Sequence, residues 1–381
     1  MPNQISGRPT WAEINLDNLT SNFMSVKNFI NQQIEFMAVV KADAYGHCAV
    51  ECAKRLEIAG VDWFGVALPE EALELRQNGI TKPILCLGGF WVGQEKMLLE
   101  NNLTPVIFQW EKAELLDRAA KEFGLTVKAH IKIDTGMGRI GIRFDEIDFF
   151  IEKVKSLKNV RFDGIMTHFA AADSFAERNF TNLQIERFNQ TVAIFERDGF
   201  DFSYKDSANS PASLAYPDSY GNLVRLGGIL YGLGDDVLPD WIDKPEIKPV
   251  LSLFSKITYL KKIKKGETLG YGRTFQAQRD SVIATIPIGY QDGLRRILSN
   301  RGRVIINGHY AEIVGRISMD WTMLDVTEIP GVKIGDRVVL IGEQDDLKIT
   351  VEEIAEQTDT ISYEITCGID RRVGRIYVGS E

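Results

Sequence analysis

The chain has 381 residues, too many for one ordinary core, so a large domain with a smaller companion is expected. Its 44% hydrophobic and 25% charged residues describe a folded globular protein and exclude disorder. The net charge of −9, with only a solvated-loop run "LKKIKKGE" at 260–267 on the basic side, argues against nucleic acid and anionic membranes as partners.

No segment nears the roughly 18 uninterrupted apolar residues of a membrane span, and the opening "MPNQISGRPTWAEINLD" lacks the apolar core of a secretion signal. Cys48, Cys52, Cys86 and Cys367 form no CxxC pair and are too sparse for a disulfide framework. The expected location is a reducing cytoplasm.

From about residue 17 to 235, strand-like and helix-like runs alternate. "IEFMAVVK" precedes "AVECAKRLEIAG", which has helical spacing and a terminal Gly60. "DWFGVA" precedes "LPEEALELRQNGI", where Pro69 is placed to start a helix and Gly79 to stop it. "KPILCLG", "TPVIF", the helical "EKAELLDRAAKEFG" and "TVKAHIKID" follow. A helix near 145–157, "RFDGIMTHF", a long helix near 176–198, "SYKDSANS" and "NLVRLGGILYG" complete the series. Repeated β-then-α units imply parallel strands, because a parallel return needs a long crossover. Roughly eight units suit a (β/α)8 barrel, with a doubly wound sheet as the alternative. No GxGxxG follows the first strand, which disfavours a dinucleotide site.

After about 245 the runs become β-rich with short glycine turns, and Asn307-Gly308 between "RVII" and "HYAEI" is a strong hairpin signal. The fold class is therefore α/β: an N-terminal (β/α)8 barrel with a second, smaller, mostly antiparallel β domain. The expected boundaries are 12–240 for the barrel and 241–381 for the β domain, with the linker inside 236–248.

Active residues of such barrels cluster at the C-terminal ends of strands. Lys41 ends an apolar run. A lysine at a strand end is usually just solvated, but an amine there can also condense with an aldehyde cofactor, pyridoxal phosphate. In "TVKAHIKID", Val127, Ala129, Ile131 and Ile133 share one face and Lys128, His130, Lys132 and Asp134 the other. In a barrel the apolar face meets the helices and Lys132 points inward, where an unpaired cation must be paired, neutralised or modified. The alternative is an exposed edge strand with a solvated polar face. Arg139 rides on the glycine-rich tail 136–141. His168 ends an apolar strand, usually a structural position. "SANSPAS" and "RLGGILYG" offer backbone N–H groups and a hydroxyl suited to a phosphate, though most such turns are only turns. Four histidines without ligand spacing disfavour a metal.

Taken in order, "AVVKADAYGH", "KIDTGMGRIG", "THFAAAD", "ANS", "VRLGGILYG", "GETLGYGRTF", "IPIGYQDG", "GRISMD" and "RRVGRIY" resemble bacterial alanine racemase, a fold-type III pyridoxal phosphate enzyme, from about Trp11 to Tyr377. The resemblance implies an isomerase that interconverts L- and D-alanine for cell-wall peptidoglycan. It implies that the N-terminal strand, within 1–16, joins the β domain. It makes Lys41 the cofactor lysine and Tyr271 the second catalytic base, on opposite faces of a flat intermediate. Tyr45, Asn209, Ser210, Gly227 and Gly228 would hold the cofactor, with Arg225 facing its ring nitrogen and His168 supporting Tyr271. Arg139, Tyr290, Met319 and Asp320 would contact substrate, and Lys132 would be carbamylated. Lys41 and Tyr271 lie in different domains and could face one cofactor within one chain or across a dimer; the resemblance implies the second, a homodimer with shared active sites.

The chain departs from that pattern in places. Cys48 stands where glycine is usual, Ser318 replaces a frequent cysteine, Gly374 replaces a proline, and Arg371 stands where some relatives have tyrosine. Asp206 replaces a histidine and would repel a nearby phosphate. Ser318 leaves open a preference for serine. A fold-type III decarboxylase is a further alternative, disfavoured because Cys367 lacks the acidic neighbours expected there.

Overall fold

The computed structural model describes residues 7–31, 33–234 and 236–379. Residues 1–6 of the expected N-terminal strand segment lie outside them. The chain forms two compact units. One comprises residues 19–230 and 237–247, the other residues 1–18, 231–236 and 248–381.

The barrel of the first unit is built of eight parallel strands, β1 (Glu35–Val39), β2 (Trp63–Val66), β3 (Ile84–Cys86), β4 (Thr104–Ile107), β5 (Val127–Asp134), β6 (Val160–Met166), β7 (Tyr204–Asp206) and β8 (Leu223–Leu226), with a two-residue strand, Ile142–Arg143, paired to the end of β5. They pair in the order β8-β1-β2-β3-β4-β5-β6-β7, a barrel sheet whose seam lies between β7 and β8. The crossovers are helical. Ala49–Ala59 ends at Gly60 in the left-handed conformation, and Pro69–Gln77 begins at its proline. Both this stop and this start were legible, because glycine fits a left-handed cap and proline fits a first helical turn. The interior is filled by one apolar side chain from each of six strands: Met37, Trp63, Leu85, Val106, Met166 and Leu223. Burying each contributes about 1.5–3 kcal/mol.

β5 is flanked by β4 and β6, so the edge-strand alternative fails. His130 is fully buried against Trp63 and Tyr204 of the interior cluster, with ring centroids 5.4 and 5.6 Å away. Lys132, two residues on, shares that inward face.

Beyond β1 the backbone does something the sequence did not announce. Ala42, Asp43, Ala44 and Tyr45 all have φ between 52 and 55°, one turn of left-handed helix built without glycine. Such a conformation costs roughly 1–2 kcal/mol per residue. The turn is held by Ala44 N–H to the Val40 carbonyl at 2.9 Å and Cys48 N–H to the Asp43 carbonyl at 3.0 Å. The Asp43 carboxylate accepts from Ala49 N–H at 2.8 Å. Glu71 accepts from Ala42 N–H at 2.7 Å and, through its other oxygen, from Ala67 and Leu68 N–H. Cys48 also has a positive φ of 74°, which explains why glycine would sit there without strain.

The second unit is a ten-stranded, mostly antiparallel sheet. Its N-terminal strand, Thr10–Asn15, runs antiparallel to Leu251–Lys256 and parallel to Gly374–Val378. The hairpin Arg303–Ile306/His309–Ile313 turns at Asn307 and Gly308, with φ of 50 and 73°, as the dipeptide predicts. Among the described residues no helix is long and apolar enough to cross a membrane, and no group of His, Cys, Asp or Glu side chains could hold a metal ion.

Candidate active site

Ten of the predicted site residues lie in the barrel unit, at or beyond the C-terminal ends of its strands. Lys41 follows β1 by two residues, and the left-handed turn carries Tyr45 to β8. A Cβ placed on Gly227 would fall 2.6 Å from the Tyr45 hydroxyl and 3.8 Å from Ser210 Oγ. Gly227 N–H donates to Ser210 Oγ at 2.8 Å. Asn209 uses its carboxamide oxygen to cap the short helix Ser210–Ala215, accepting from Ala212 N–H at 3.2 Å. Gly228 opens the 3-10 turn Gly228–Tyr231. Tyr45, Ser210 and Gly227 thus converge on one cradle, a close approach that any side chain at 227 would obstruct.

Asp134 closes β5 and folds back on its own loop, its carboxylate accepting from Gly136 and Gly138 N–H at 2.9 and 3.1 Å. That loop holds Arg139 exposed beyond the strand. His168 follows β6, and its Nδ1 faces an Arg225 terminal nitrogen at 3.3 Å. Burial, then Arg225, Lys132, Arg139 and Lys41, holds His168 well below the ordinary histidine value, so the ring is neutral near pH 7. Its Nδ1 accepts from Arg225, which places the proton on Nε2.

Asp206 would repel a phosphate if close to one, and the sequence leaves its orientation open. Its carboxylate is ion-paired with Arg225, which lies 3% exposed in β8. Arg225 also donates to the carbonyls of Thr167, Ser207 and Asp206. Burial pushes the Asp206 carboxyl up to about 6, against the pull of Arg225 and Lys132. Lys132 is 5% exposed. Burial, then Arg225 and Arg139, brings its amine down to about 7, with Asp206 opposing and Lys41 adding to the depression. Lys41, Lys132, Arg139 and Arg225 therefore gather about His168 and the buried Asp206, an arrangement that suits anionic ligands.

The Lys132 shift has a stability consequence. Its folded value lies below the ordinary lysine value of 10.5, so the folded protein holds fewer protons than the unfolded chain between about pH 7 and 10.5. Stability then rises with pH across that window. Asp206 and His168 titrate below it. Urea unfolding of the ligand-free protein should show a gain of up to about 2–3 kcal/mol from pH 7 to 9, and Lys132→Met should flatten it. An unchanged rise in the variant would place the effect elsewhere.

Sequence reasoning missed the polar layer beneath His168. Thr135 and Thr167 share a hydroxyl contact at 2.8 Å, and Gln184 donates to Thr135 Oγ1 at 3.1 Å and to the His168 carbonyl at 3.3 Å. Arg187 donates to the Thr135 carbonyl at 2.9 Å. The available signal was polar residues at helical spacing on the buried side of 178–197: Thr181, Gln184 and Thr191.

The other four predicted residues lie in the β unit. Tyr271 is 70% exposed on a turn with Gly270 and Gly272, both at φ 69°, and a Cβ on Gly272 would lie 3.3 Å from the Arg316 guanidinium. Tyr290 N–H donates to the Ser318 carbonyl at 3.0 Å, and Gln291 N–H to the Met319 carbonyl at 3.1 Å. Asp320 accepts from Arg372, which also holds Asp292 at 2.6 Å. Tyr290, Met319 and Asp320 are thus neighbours. The Ser318 hydroxyl is engaged by the Trp321 carbonyl at 2.9 Å.

The family models for the alanine racemase N-terminal domain and C-terminal domain match residues 14–235 and 250–377. The alanine racemase of Halothermothrix orenii is 45% identical over 370 residues, 97% of each chain. Among solved structures, alanine racemase of Clostridium difficile 630 superposes with a TM-score of 0.91 at 39% identity, over 98% of this chain and 96% of that one. Alanine racemase from Bartonella henselae with covalently bound pyridoxal phosphate gives 0.86 at 30% identity, over 98% of this chain and all of that one. With both halves matched in order and nearly the whole length aligned, the decarboxylase alternative gives way: the chain belongs to the alanine racemase family.

Proposed function

We propose that the protein interconverts L- and D-alanine with pyridoxal phosphate seated on Lys41, and that Lys41 and Tyr271 exchange the Cα proton from opposite faces. The observation that carries this reading is the cradle. Gly227 leaves no room for a side chain beside the Tyr45 and Ser210 hydroxyls, and the surrounding cations want an anion. A phosphate fits both features, and the Bartonella henselae relative was solved with the cofactor attached.

When bound, pyridoxal phosphate withdraws electrons from the substrate and acidifies its Cα–H. The rest falls to the chain. Lys41 anchors the cofactor and moves the proton on the D-alanine face. Tyr271 removes it on the L-alanine face. A phenol is a poor base near neutrality and needs donated hydrogen bonds to ionise. His168, neutral with its proton on Nε2, is the donor we assign. Arg139 binds the substrate carboxylate, with Tyr290, Met319 and Asp320 shaping the entrance. Arg225 faces the ring nitrogen and, being always cationic, gives it a hydrogen bond without surrendering a proton. Lys132, once carbamylated, is an anion able to orient Arg139.

We further assign a homodimer in which the β unit of one subunit serves the barrel of the other. A cytoplasmic location and a role in supplying D-alanine for peptidoglycan complete the reading. Ser318 gives serine no advantage, because its hydroxyl is already used.

Reconstituted protein should interconvert the alanine enantiomers, and borohydride reduction with peptide mapping should label Lys41. A label on any other lysine would refute the assignment. Gly227→Val should weaken cofactor binding by about 10- to 100-fold, the range expected when overpacking costs about 1–3 kcal/mol. Undiminished affinity, measured by absorbance titration, would remove the cradle from the site.

A further inference from the structure

We propose that Asp206 is a positioning residue: its buried carboxylate ties down the tip of Arg225 so that one donor alone, Nε–H, is left to meet the cofactor's ring nitrogen. The inference rests on the reading that Arg225 faces that ring.

A guanidinium has five N–H groups in a rigid fork. One terminal nitrogen of Arg225 donates to the Asp206 carboxylate and, at 3.2 Å, to the Asp206 carbonyl. The other serves the Thr167 carbonyl at 2.9 Å, the Ser207 carbonyl at 3.2 Å and His168 Nδ1 at 3.3 Å. The four terminal hydrogens are therefore spent inside the chain. Nε–H has no acceptor among the described residues.

The geometry follows from strand register. Asp206 is the last residue of β7 and aligns with Met166 of β6, which aligns in turn with Lys132 of β5. In parallel strands such partners project to the same side, so Asp206 shares the inner face with Lys132. Arg225 reaches it from β8, across the seam. Of the acceptors around the fork, Asp206 is the sole anion, and neutral carbonyls alone would leave a buried cation uncompensated. Its second oxygen, Oδ2, is buried and accepts nothing from the described residues. The same pairing disposes of the repulsion a lone carboxylate would impose on the phosphate, because its charge is already matched.

The test compares equilibrium binding of pyridoxal phosphate with that of its 1-deaza analogue, in which C–H replaces the ring nitrogen. Full-length native, Asp206→Asn and Asp206→Glu proteins, stripped of cofactor, are titrated by absorbance. Native protein should prefer pyridoxal phosphate by about tenfold, the worth of one hydrogen bond from a charged donor. Asp206→Asn keeps the shape and loses the charge, and the preference should shrink to about twofold. Asp206→Glu keeps the charge, which guards against misfolding, but displaces the fork by one methylene, and should fall to about threefold. Full native preference in either variant overturns the inference. So does equal weakening toward both ligands, which would make Asp206 merely structural. No preference in the native protein would instead sink the reading that Arg225 faces the ring, and this inference with it.

Discussion

Lys41→Ala protein is expected to purify without bound cofactor and to interconvert the alanine enantiomers at least about 10⁴-fold more slowly than native protein. Two losses combine. The covalent anchor disappears, and so does the base on one face. Adding excess cofactor with methylamine separates them. It should restore a cofactor-dependent absorbance change and only a small fraction of turnover, since a freely diffusing amine lacks the positioning given by the turn after β1. Activity within about tenfold of native protein in the variant would mean that another group does the work assigned to Lys41.

Tyr271→Phe should lower racemisation by about 10²–10⁴-fold while leaving cofactor binding intact. The informative readout is directional. In deuterated water, native protein should wash deuterium into both enantiomers. The variant should still exchange the Cα–H of D-alanine through Lys41 and fail to exchange that of L-alanine. Equal damage to both would reverse or abolish the assignment of faces. The exposure of Tyr271 on a glycine-flanked turn of the β unit suits a group contributed to a site rather than one buried within its own fold.

How much of this was legible follows from which residues carry local information. The alternation in 127–134 left two readings, an inward Lys132 or an edge strand with a solvated polar face, and pairing on both sides decides for the first. Asn307-Gly308 announced its hairpin, because both positions require positive φ. Tyr271 was legible only through the family resemblance: an exposed tyrosine between glycines carries no chemical signal by itself. The direction of the Asp206 side chain was illegible, because it depends on Arg225, brought beside it by barrel closure. Likewise Gln184 reads as a solvent-facing side chain until the helix is docked against Thr135.

The left-handed turn after Lys41 was the least legible element, and it bears on how this protein can change. A D-residue would rest comfortably at Ala42 to Tyr45, so at four successive sites the handedness of the chain itself works against the fold. Branched side chains, which tolerate that region worst, are shut out, and Glu71 cannot be lost without releasing the backbone beside Lys41. The vocabulary open to mutation there is small even at positions that never touch a ligand, and drift will be slow for reasons of torsion rather than chemistry.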